Sequence, residues 1–170
     1  MTSIVAIKET NKTIVCFDSR STECGYIKTQ MPAGYTKAWK VGKTIIAHAG
    51  NFVGYNLLHE NPQFFKKKLS TKKLVNEIVP SIFELFENRG QTGTNSDGLR
   101  IIHSSFIIAN SKHLWSIAPT GEVIENDFVA IGSFQESLAC YELIKGEHNA
   151  EITALKIVST IAKIDETVGY

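Results

Sequence analysis

The sequence predicts an α+β domain built in layers, with β-sheets packed on each other and helices on their outer faces. Segments of strand length that are rich in β-branched residues are concentrated in residues 3–50 and again in residues 100–131. Each block of strands is followed by segments whose apolar residues recur at helical spacing. Elements in this order bury their apolar faces when sheets and helices stack in layers.

Length and composition bound the class of protein. A chain of 170 residues with 43% hydrophobic and 21% charged residues is typical of a globular domain, so residues 1–170 are expected to form one unit. The net charge of +1 gives no reason to expect nucleic acid or a membrane surface as a partner. No apolar run approaches the ~18 residues of a membrane span, and the N-terminus lacks the regions of a signal peptide. Three cysteines without CxxC spacing favour free thiols and a cytoplasmic location.

The first block of strands is expected to begin with a hairpin. Residues 3–8 and 13–17 are β-branched runs on either side of a turn-prone ETNK segment. A third strand is expected in residues 26–31, ended by Pro32. Together these runs predict the first antiparallel strands of a sheet.

A second hairpin and a short helix are expected next. Residues 36–50 place Gly42 in a turn and an apolar second strand at 44–49. Apolar residues then follow helical spacing over residues 52–59, up to a break near Pro62.

The clearest helix is expected over residues 70–89. Ser70 or Thr71 is a candidate N-cap, and Pro80 should remove an internal hydrogen bond and bend the helix. The apolar stripe is wide, and it consists of Leu74, Val75, Ile78, Val79, Ile82, Phe83, Leu85 and Phe86.

A polar surface loop is expected at residues 91–98, because this segment is rich in Gly, Asn, Ser and Thr. Three strands and then two helices are expected after it, at residues 100–109, 113–118, 122–131, 134–145 and 150–163.

Several common catalytic motifs are absent from the sequence. It contains no HExxH, P-loop, GxGxxG or GxSxG motif, and its five histidines have no metal-ligand spacing. The lysine run at residues 66–68 is typical of a solvated face rather than of a phosphate site. We therefore expect no metal ion and no cofactor.

The first residues of the chain carry a more specific signal. Methionine is normally removed when the next residue is small, so Thr2 can become the N-terminal residue. An N-terminal threonine joins a hydroxyl nucleophile and an α-amine base on one residue. The α-amine has a pKa of about 7.7–8.0, and a nearby cation favours its neutral, basic form. Thr2 is therefore a candidate nucleophile, and a retained Met1 would block it.

The segment TSIVAIK…TIVCFDSRST resembles the N-terminus of mature proteasome β-subunits and of the bacterial HslV peptidase. In that family an aspartate follows the nucleophilic threonine by sixteen positions, commonly within Asp-Ser/Thr-Arg. Asp18, Ser19 and Arg20 stand at this spacing from Thr2.

Later segments extend the resemblance, in the same order, over nearly the whole chain. The segment KAWKVGKTIIAHAG resembles the family's lysine strand and glycine-ended strand, which matches Lys37 to the catalytic lysine and Gly50 to the oxyanion-hole glycine. In ENDFVAIGS, Ser133 matches a serine that supports the nucleophile. In KIDETVG, Asp165 matches the aspartate of Asp-x-x-Ser-Gly, although Val168 stands where the family has serine.

The resemblance implies a role for each matched residue. Thr2 would attack a carbonyl carbon while its own amine takes the proton, and the charge of Lys37 would lower the pKa values of both groups. Asp18 would hold Lys37 charged and oriented, and the backbone N–H of Gly50 would stabilise the oxyanion. By position in the family, the pocket for the residue before the scissile bond would be lined by Ser21, Tyr35, Trp39, His48 and Phe52.

Two alternatives remain open at this stage. The interval from Asp18 to Lys37 is longer than the family's interval, which leaves Lys28 and Lys40 as other candidates for the lysine. Ordinary core packing is an alternative for the aromatic residues of the pocket. The family also continues beyond the position of Tyr170, so a truncated chain or a different closure of the fold is expected.

For the whole molecule, the resemblance implies a four-layer α-β-β-α sandwich of the N-terminal-nucleophile hydrolase type, with two stacked antiparallel sheets flanked by helix pairs. It implies a threonine endopeptidase with a polypeptide substrate, a homo-oligomeric ring and an ATPase unfoldase partner. A non-catalytic assembly subunit and an amidase acting on a small amide are the alternative functions.

Overall fold

Residues 2–19, 21–23, 26–28, 35–66 and 68–164 are described by the structure, a computed structural model. The strands in chain order are β1 (Ser3–Lys8), β2 (Thr13–Phe17), β3 (Ser21–Glu23), β4 (Tyr26–Lys28), β5 (Ala38–Val41), β6 (Thr44–Gly50), β7 (Thr92–Thr94), β8 (Arg100–Ile102), β9 (Ser104–Ala109), β10 (Leu114–Ile117), β11 (Val123–Glu125) and β12 (Phe128–Gly132). The α-helices are α1 (Phe52–His59), α2 (Thr71–Lys73), α3 (Val79–Glu87), α4 (Phe134–Ile144) and α5 (Ala150–Ile164). A 3₁₀ turn covers Pro62–Phe64, and a π-helical segment, Leu74–Ile78, joins α2 to α3.

Two antiparallel sheets form the centre of the fold. One has three strands in the order β12-β1-β2, and the other has five strands in the order β11-β10-β9-β6-β5. The pairs β3–β4 and β7–β8 form separate two-stranded sheets. The expected hairpins at β1–β2 and β5–β6 are therefore confirmed.

Alternation along each strand creates three apolar layers, because successive side chains of a strand point to opposite faces. In β1, Ile4 and Ala6 pack into the layer between the two sheets, whereas Val5 and Ile7 pack against helices. Small residues in the inner layer let the sheets approach closely. That layer consists of Ile4, Ala6, Ala47, Ile107, Ala109, Leu114, Val129 and Ile131.

Helices cover both outer faces of the paired sheets. Helices α4 and α5 pack on the three-stranded sheet, where Ile157 and Ile161 of α5 are fully buried. Helices α1 and α3 pack on the five-stranded sheet, where Leu58, Ile82 and Phe86 are at most 1% exposed. Each such side chain stabilises the fold by about 1.5–3 kcal/mol relative to an exposed one. The predicted α-β-β-α sandwich is confirmed.

The long predicted helix is present but is not α-helical throughout. Ser70 is its N-cap and accepts a hydrogen bond from the backbone N–H of Lys73 at 3.3 Å. The π-helical segment ends where the N–H of Val79 donates to the carbonyl of Leu74. Pro80 comes directly after Val79 and has no N–H to donate. The π-helical turn therefore lies just before the residue that cannot continue the α-helical hydrogen bonds.

Three details of the predicted strands were wrong. The polar loop at 91–98 contains β7, which pairs with β8, so residues 100–109 form two strands on either side of His103. Residues 122–131 also form two strands, in different sheets. Backbone hydrogen bonds mark where the chain passes from one sheet to the other. The N–H of Asn126 donates to the carbonyl of Leu114 in β10, whereas the carbonyl of Asp127 accepts from the N–H of Lys8 in β1.

Other expectations fall partly outside the described residues. The third predicted strand is observed at β4, and the remainder of residues 26–31 lies outside them. Cys16 and Cys140 are free thiols, whereas Cys24 is not described. Among the residues described, no helix is long and apolar enough to cross a membrane.

Candidate active site

A cleft of about 400 Å³ opens at one end of the sandwich, between the ends of the two sheets. The pairing of Ser3 with Gly132 brings the start of β1 beside the end of β12. In the other sheet, the pairing of Gly50 with Ser104 brings the end of β6 beside the start of β9. The cleft is lined by Thr2, Ala49, Gly50, His103, Ser104, Ser105, Pro119 and Gly132. Thr2 therefore borders a cavity that both sheets help to form.

A buried ion pair lies at this end of the fold. The ammonium of Lys37 donates to both carboxylate oxygens of Asp18 at 2.7 Å, and the two residues are 5% and 1% exposed. Burial lowers the pKa of Lys37, because it disfavours the charged ammonium, while the charge of Asp18 and its hydrogen bond act in the opposite direction. An ion pair buried this deeply depends on both partners.

Asp18 also ties the ion pair to the start of the chain. Its Oδ1 accepts a hydrogen bond of 2.7 Å from the N–H of Ser3, which belongs to the peptide bond between Thr2 and Ser3. The N–H of Asp18 donates to the carbonyl of Ser3 at 3.0 Å. One carboxylate therefore positions both the lysine and the residue next to Thr2. Lys40, an alternative lysine by sequence, is exposed, and the side chain of Lys28 lies outside the described residues.

The carbonyl of Thr2 is held from the other side by the end of β12. The N–H of Ser133 donates to it at 2.8 Å, and the hydroxyl of Ser133 lies 3.5 Å from it. The carbonyl of Ser133 in turn accepts from the hydroxyl of Ser137 at 2.5 Å, in the first turn of α4. Gly132 has a φ of +83°, and a Cβ there would lie 1.8 Å from the Thr2 oxygen. Only glycine fits at this position.

Gly50 presents bare backbone to the cleft. Its φ is +155°, and a Cβ there would lie 2.6 Å from the Ser104 hydroxyl, 2.7 Å from the His103 carbonyl and 3.0 Å from Nε2 of His48. These distances leave no room for a side chain. The chain then turns into α1, where Asn51 is the N-cap and accepts from the N–H of Gly54 at 2.8 Å.

Three of the residues predicted to line a pocket belong to an aromatic cluster. The ring of Tyr35 lies 5.0 Å from that of Phe52 and 5.1 Å from that of Tyr55, and Trp39 contacts the same Tyr55 ring at 5.1 Å. Trp39 also packs against the core of the five-stranded sheet, so ordinary core packing, the alternative to a pocket, accounts for part of its surface.

The predicted site residues that remain are His48, Ser21 and Asp165. His48 is 5% exposed, stacks on Phe106 and lies against Tyr55, rather than lining the cleft. Ser21 lies in β3, with its side chain outside the described part of the chain, and Asp165 is not described.

Two contributors to the site were not found from the sequence. Ser104 lies within an apolar run, IIHSSFIIA, and only the register of β9 against β6 shows that it faces Gly50. Gly132 ends a predicted strand, but its contact with Thr2 depends on the pairing of β1 with β12, which are far apart in sequence. Across the described ranges, no group of three or more His, Cys, Asp or Glu residues could hold a metal ion.

Comparison with known proteins agrees with this arrangement. Residues 1–166 match the family described as proteasome subunit. The ATP-dependent protease subunit HslV of Caldicellulosiruptor saccharolyticus is 29% identical over 134 residues, which are 78% of this chain and 71% of that protein.

Solved structures show the same fold. Thiobacillus denitrificans BPH in complex with epoxomicin superposes with a TM-score of 0.79 at 17% identity, over 99% of this chain and 93% of that one. HslV from Trypanosoma brucei superposes with a TM-score of 0.69 at 18% identity, over 98% of this chain and 94% of that one. Because the family match covers almost all residues, the chain belongs to the proteasome subunit family, in which a threonine-peptidase type of function is the family-level assignment.

Proposed function

We propose that this chain is a threonine endopeptidase whose nucleophile is Thr2, exposed as the N-terminal residue once Met1 is removed. The observation that carries the proposal is the buried ion pair of Lys37 with Asp18, anchored by the same carboxylate to the N–H that follows Thr2. A buried ion pair costs desolvation energy and is weak support for stability, which favours a chemical use for it.

The ion pair would activate the nucleophile by its electric field. The α-amine of a processed Thr2 has a pKa of about 7.7–8.0 without neighbours, and a cation nearby favours its neutral form. The low dielectric around Lys37 strengthens this effect relative to an exposed lysine. The charge of Asp18 and its hydrogen bond raise the pKa of Lys37 and so oppose the effect of burial.

The reaction would proceed in two halves. The Oγ of Thr2 attacks the carbonyl carbon of the scissile peptide, and its proton passes to the α-amine. The N–H of Gly50 donates to the oxyanion, a kind of contact worth about 2.7–4 kcal/mol. The C–N bond then breaks, the leaving nitrogen takes the proton from the amine, and an ester to Thr2 remains. A water molecule, deprotonated by the same amine, hydrolyses the ester and restores Thr2.

The residue before the scissile bond would contact the aromatic cluster. Tyr35, Trp39 and Phe52 are proposed to line its pocket together with Ser21, and His48 reaches the same cluster through Tyr55. Aromatic rings favour apolar or aromatic side chains of a peptide substrate. Ser133 is proposed to support the nucleophile from the end of β12. Asp165 is proposed to support it as well, on the resemblance alone.

Assembly and location are part of the same proposal. The chain is proposed to be a cytoplasmic protein that forms a homo-oligomeric ring, and an ATPase unfoldase would feed it polypeptide. The HslV relative is named an ATP-dependent protease subunit, which supports an assembly of subunits and a partner that uses ATP. Light scattering that showed only monomers at micromolar concentration would contradict the ring.

The test combines an intact-mass measurement with hydrolysis of short fluorogenic peptides. A sample without Met1 should cleave the peptides, whereas a sample that retains Met1 should not. Thr2→Ala should reduce hydrolysis to background with an unchanged melting temperature, and Thr2→Ser is the matched control that keeps a hydroxyl. Equal rates with and without Met1 would contradict the mechanism, and a purified protein that retains Met1 and cleaves no peptide would favour the non-catalytic assembly subunit.

A further inference from the structure

The cleft-facing end of β6 is supported by a buried hydrogen bond that has no role in the proposed reaction. Nε2 of His48 lies 3.0 Å from the hydroxyl of Ser104, and the two residues are 5% and 3% exposed. They belong to neighbouring strands, and Ser104 is the strand partner of Gly50. The hydrogen bond therefore runs diagonally from His48 on β6 to the residue of β9 that forms the last strand pair before the cleft.

Two glycines enclose this hydrogen bond. A Cβ on Gly50 would lie 2.6 Å from the Ser104 hydroxyl and 3.0 Å from Nε2 of His48, and a Cβ on Gly54 would lie at the same two distances. The backbone at both positions thus rests against the hydroxyl and the imidazole. Any change in their separation would move the peptide units on either side, because packed interiors do not deform freely.

The rest of the surroundings hold the imidazole in place. Its ring stacks on Phe106, its cross-strand partner, with centroids 5.6 Å apart, and it meets the ring of Tyr55 at 6.4 Å. Burial lowers the pKa of His48 to about 4, so the ring is neutral near pH 7. A neutral ring offers one donor and one acceptor, either of which can pair with a serine hydroxyl.

We propose that the His48–Ser104 hydrogen bond positions the Gly50 peptide unit, whose N–H is the proposed oxyanion donor. His48 and Ser104 are positioning residues, since neither needs to touch the reacting atoms. The inference rests on the proposed function. It adds that the geometry of the oxyanion donor depends on two side chains packed against Gly50, which matters because such donors need to lie about 2.7–3.1 Å from the oxyanion.

The first experiment compares Ser104→Ala with Thr44→Val in the processed, assembled enzyme. Thr44 is a matched control, because it lies on β6 with His48 and Gly50, is buried like Ser104, and uses its hydroxyl to reach the Phe65 carbonyl at the other end of that strand. Ser104→Ala should lower kcat by about ten-fold to a hundred-fold with little change in KM, somewhat less than the ~10²–10³ for loss of an oxyanion donor. Thr44→Val should keep the wild-type kcat.

The affinity for a peptide boronate is a readout that general destabilisation of the fold would not change. The boronate forms a tetrahedral adduct with a hydroxyl nucleophile, so its affinity should fall by the same factor as kcat, whereas an uncleaved peptide ligand should bind as before. A second pair of variants covers the case in which Ser104→Ala does not fold. His48→Gln places an amide nitrogen near the position of Nε2, whereas His48→Asn does not, so kcat should be higher for His48→Gln.

The outcomes separate the two proposals. A wild-type enzyme that cleaves peptides, with Ser104→Ala at the same kcat or with only KM changed, would overturn the positioning role alone. Equal kcat values for His48→Gln and His48→Asn would do the same. A processed wild-type protein that cleaves no peptide would overturn the proposed function, and this inference with it.

Discussion

Acid should destabilise this fold through His48, and the size of the effect follows from its burial. The pKa of His48 in the folded chain is about 4, against an ordinary value of 6.5. The imidazole is enclosed by Phe106, Tyr55 and two glycines, so it cannot gain water when it is protonated. Protonation of this group therefore favours the unfolded chain.

The sign and magnitude can be worked out from linkage. Above pH 6.5 the ring is neutral in both states, and its full contribution to stability is present. As the pH falls from 6.5 towards 4, the unfolded chain binds a proton that the folded chain does not, so stability is lost. At about 1.4 kcal/mol per pKa unit, the loss from His48 reaches ~2 kcal/mol at pH 5 and about 3 kcal/mol below pH 4.

The assay is denaturant unfolding at several pH values between 7.5 and 4.5, for the wild type and for His48→Gln. All ionisable groups other than His48 are common to both proteins, so the difference between the two free energies of unfolding isolates His48. That difference should shift in favour of His48→Gln by ~2 kcal/mol between pH 7.5 and pH 5. A difference that does not change with pH would refute the reasoning.

Two other predictions concern the ion pair and the contact beside Thr2. Lys37→Met should abolish peptide hydrolysis and cost about 3–5 kcal/mol of unfolding free energy, because Asp18 is left buried without its cation. The double variant with Asp18→Asn should cost less than the sum of the single variants, and additive costs in denaturant unfolding would contradict the coupling. Gly132→Ala should lower both the melting temperature and the rate of hydrolysis, since its Cβ would lie 1.8 Å from the Thr2 oxygen. Gly42→Ala is the matched control, a positive-φ glycine with open space around it, and should leave hydrolysis unchanged; equal loss of activity in the two variants would argue against a specific contact at Thr2.

The sequence by itself determined the elements whose signals are local. Two β-branched runs and the short turn-prone segment between them are enough to specify the β1–β2 hairpin, so the approach of Asp18 to the residue after Thr2 was predictable from residues close in the chain. The order of strands and helices likewise determined the layered class, since the apolar faces of strands and helices have to be buried against other elements. The resemblance to the proteasome subunit family added which residues to look for at the end of the sandwich.

Only the tertiary structure decided what depends on pairing between distant strands. Three lysines were candidates by sequence, and in the described part of the chain Lys37 is paired with Asp18, because it directly precedes β5. Residues 122–131 were predicted as one strand, and the division at Asn126 arises because each half finds its partners in a different sheet. Ser104 shows the same limit, because its place behind Gly50 comes from a cross-strand register that local propensity does not encode.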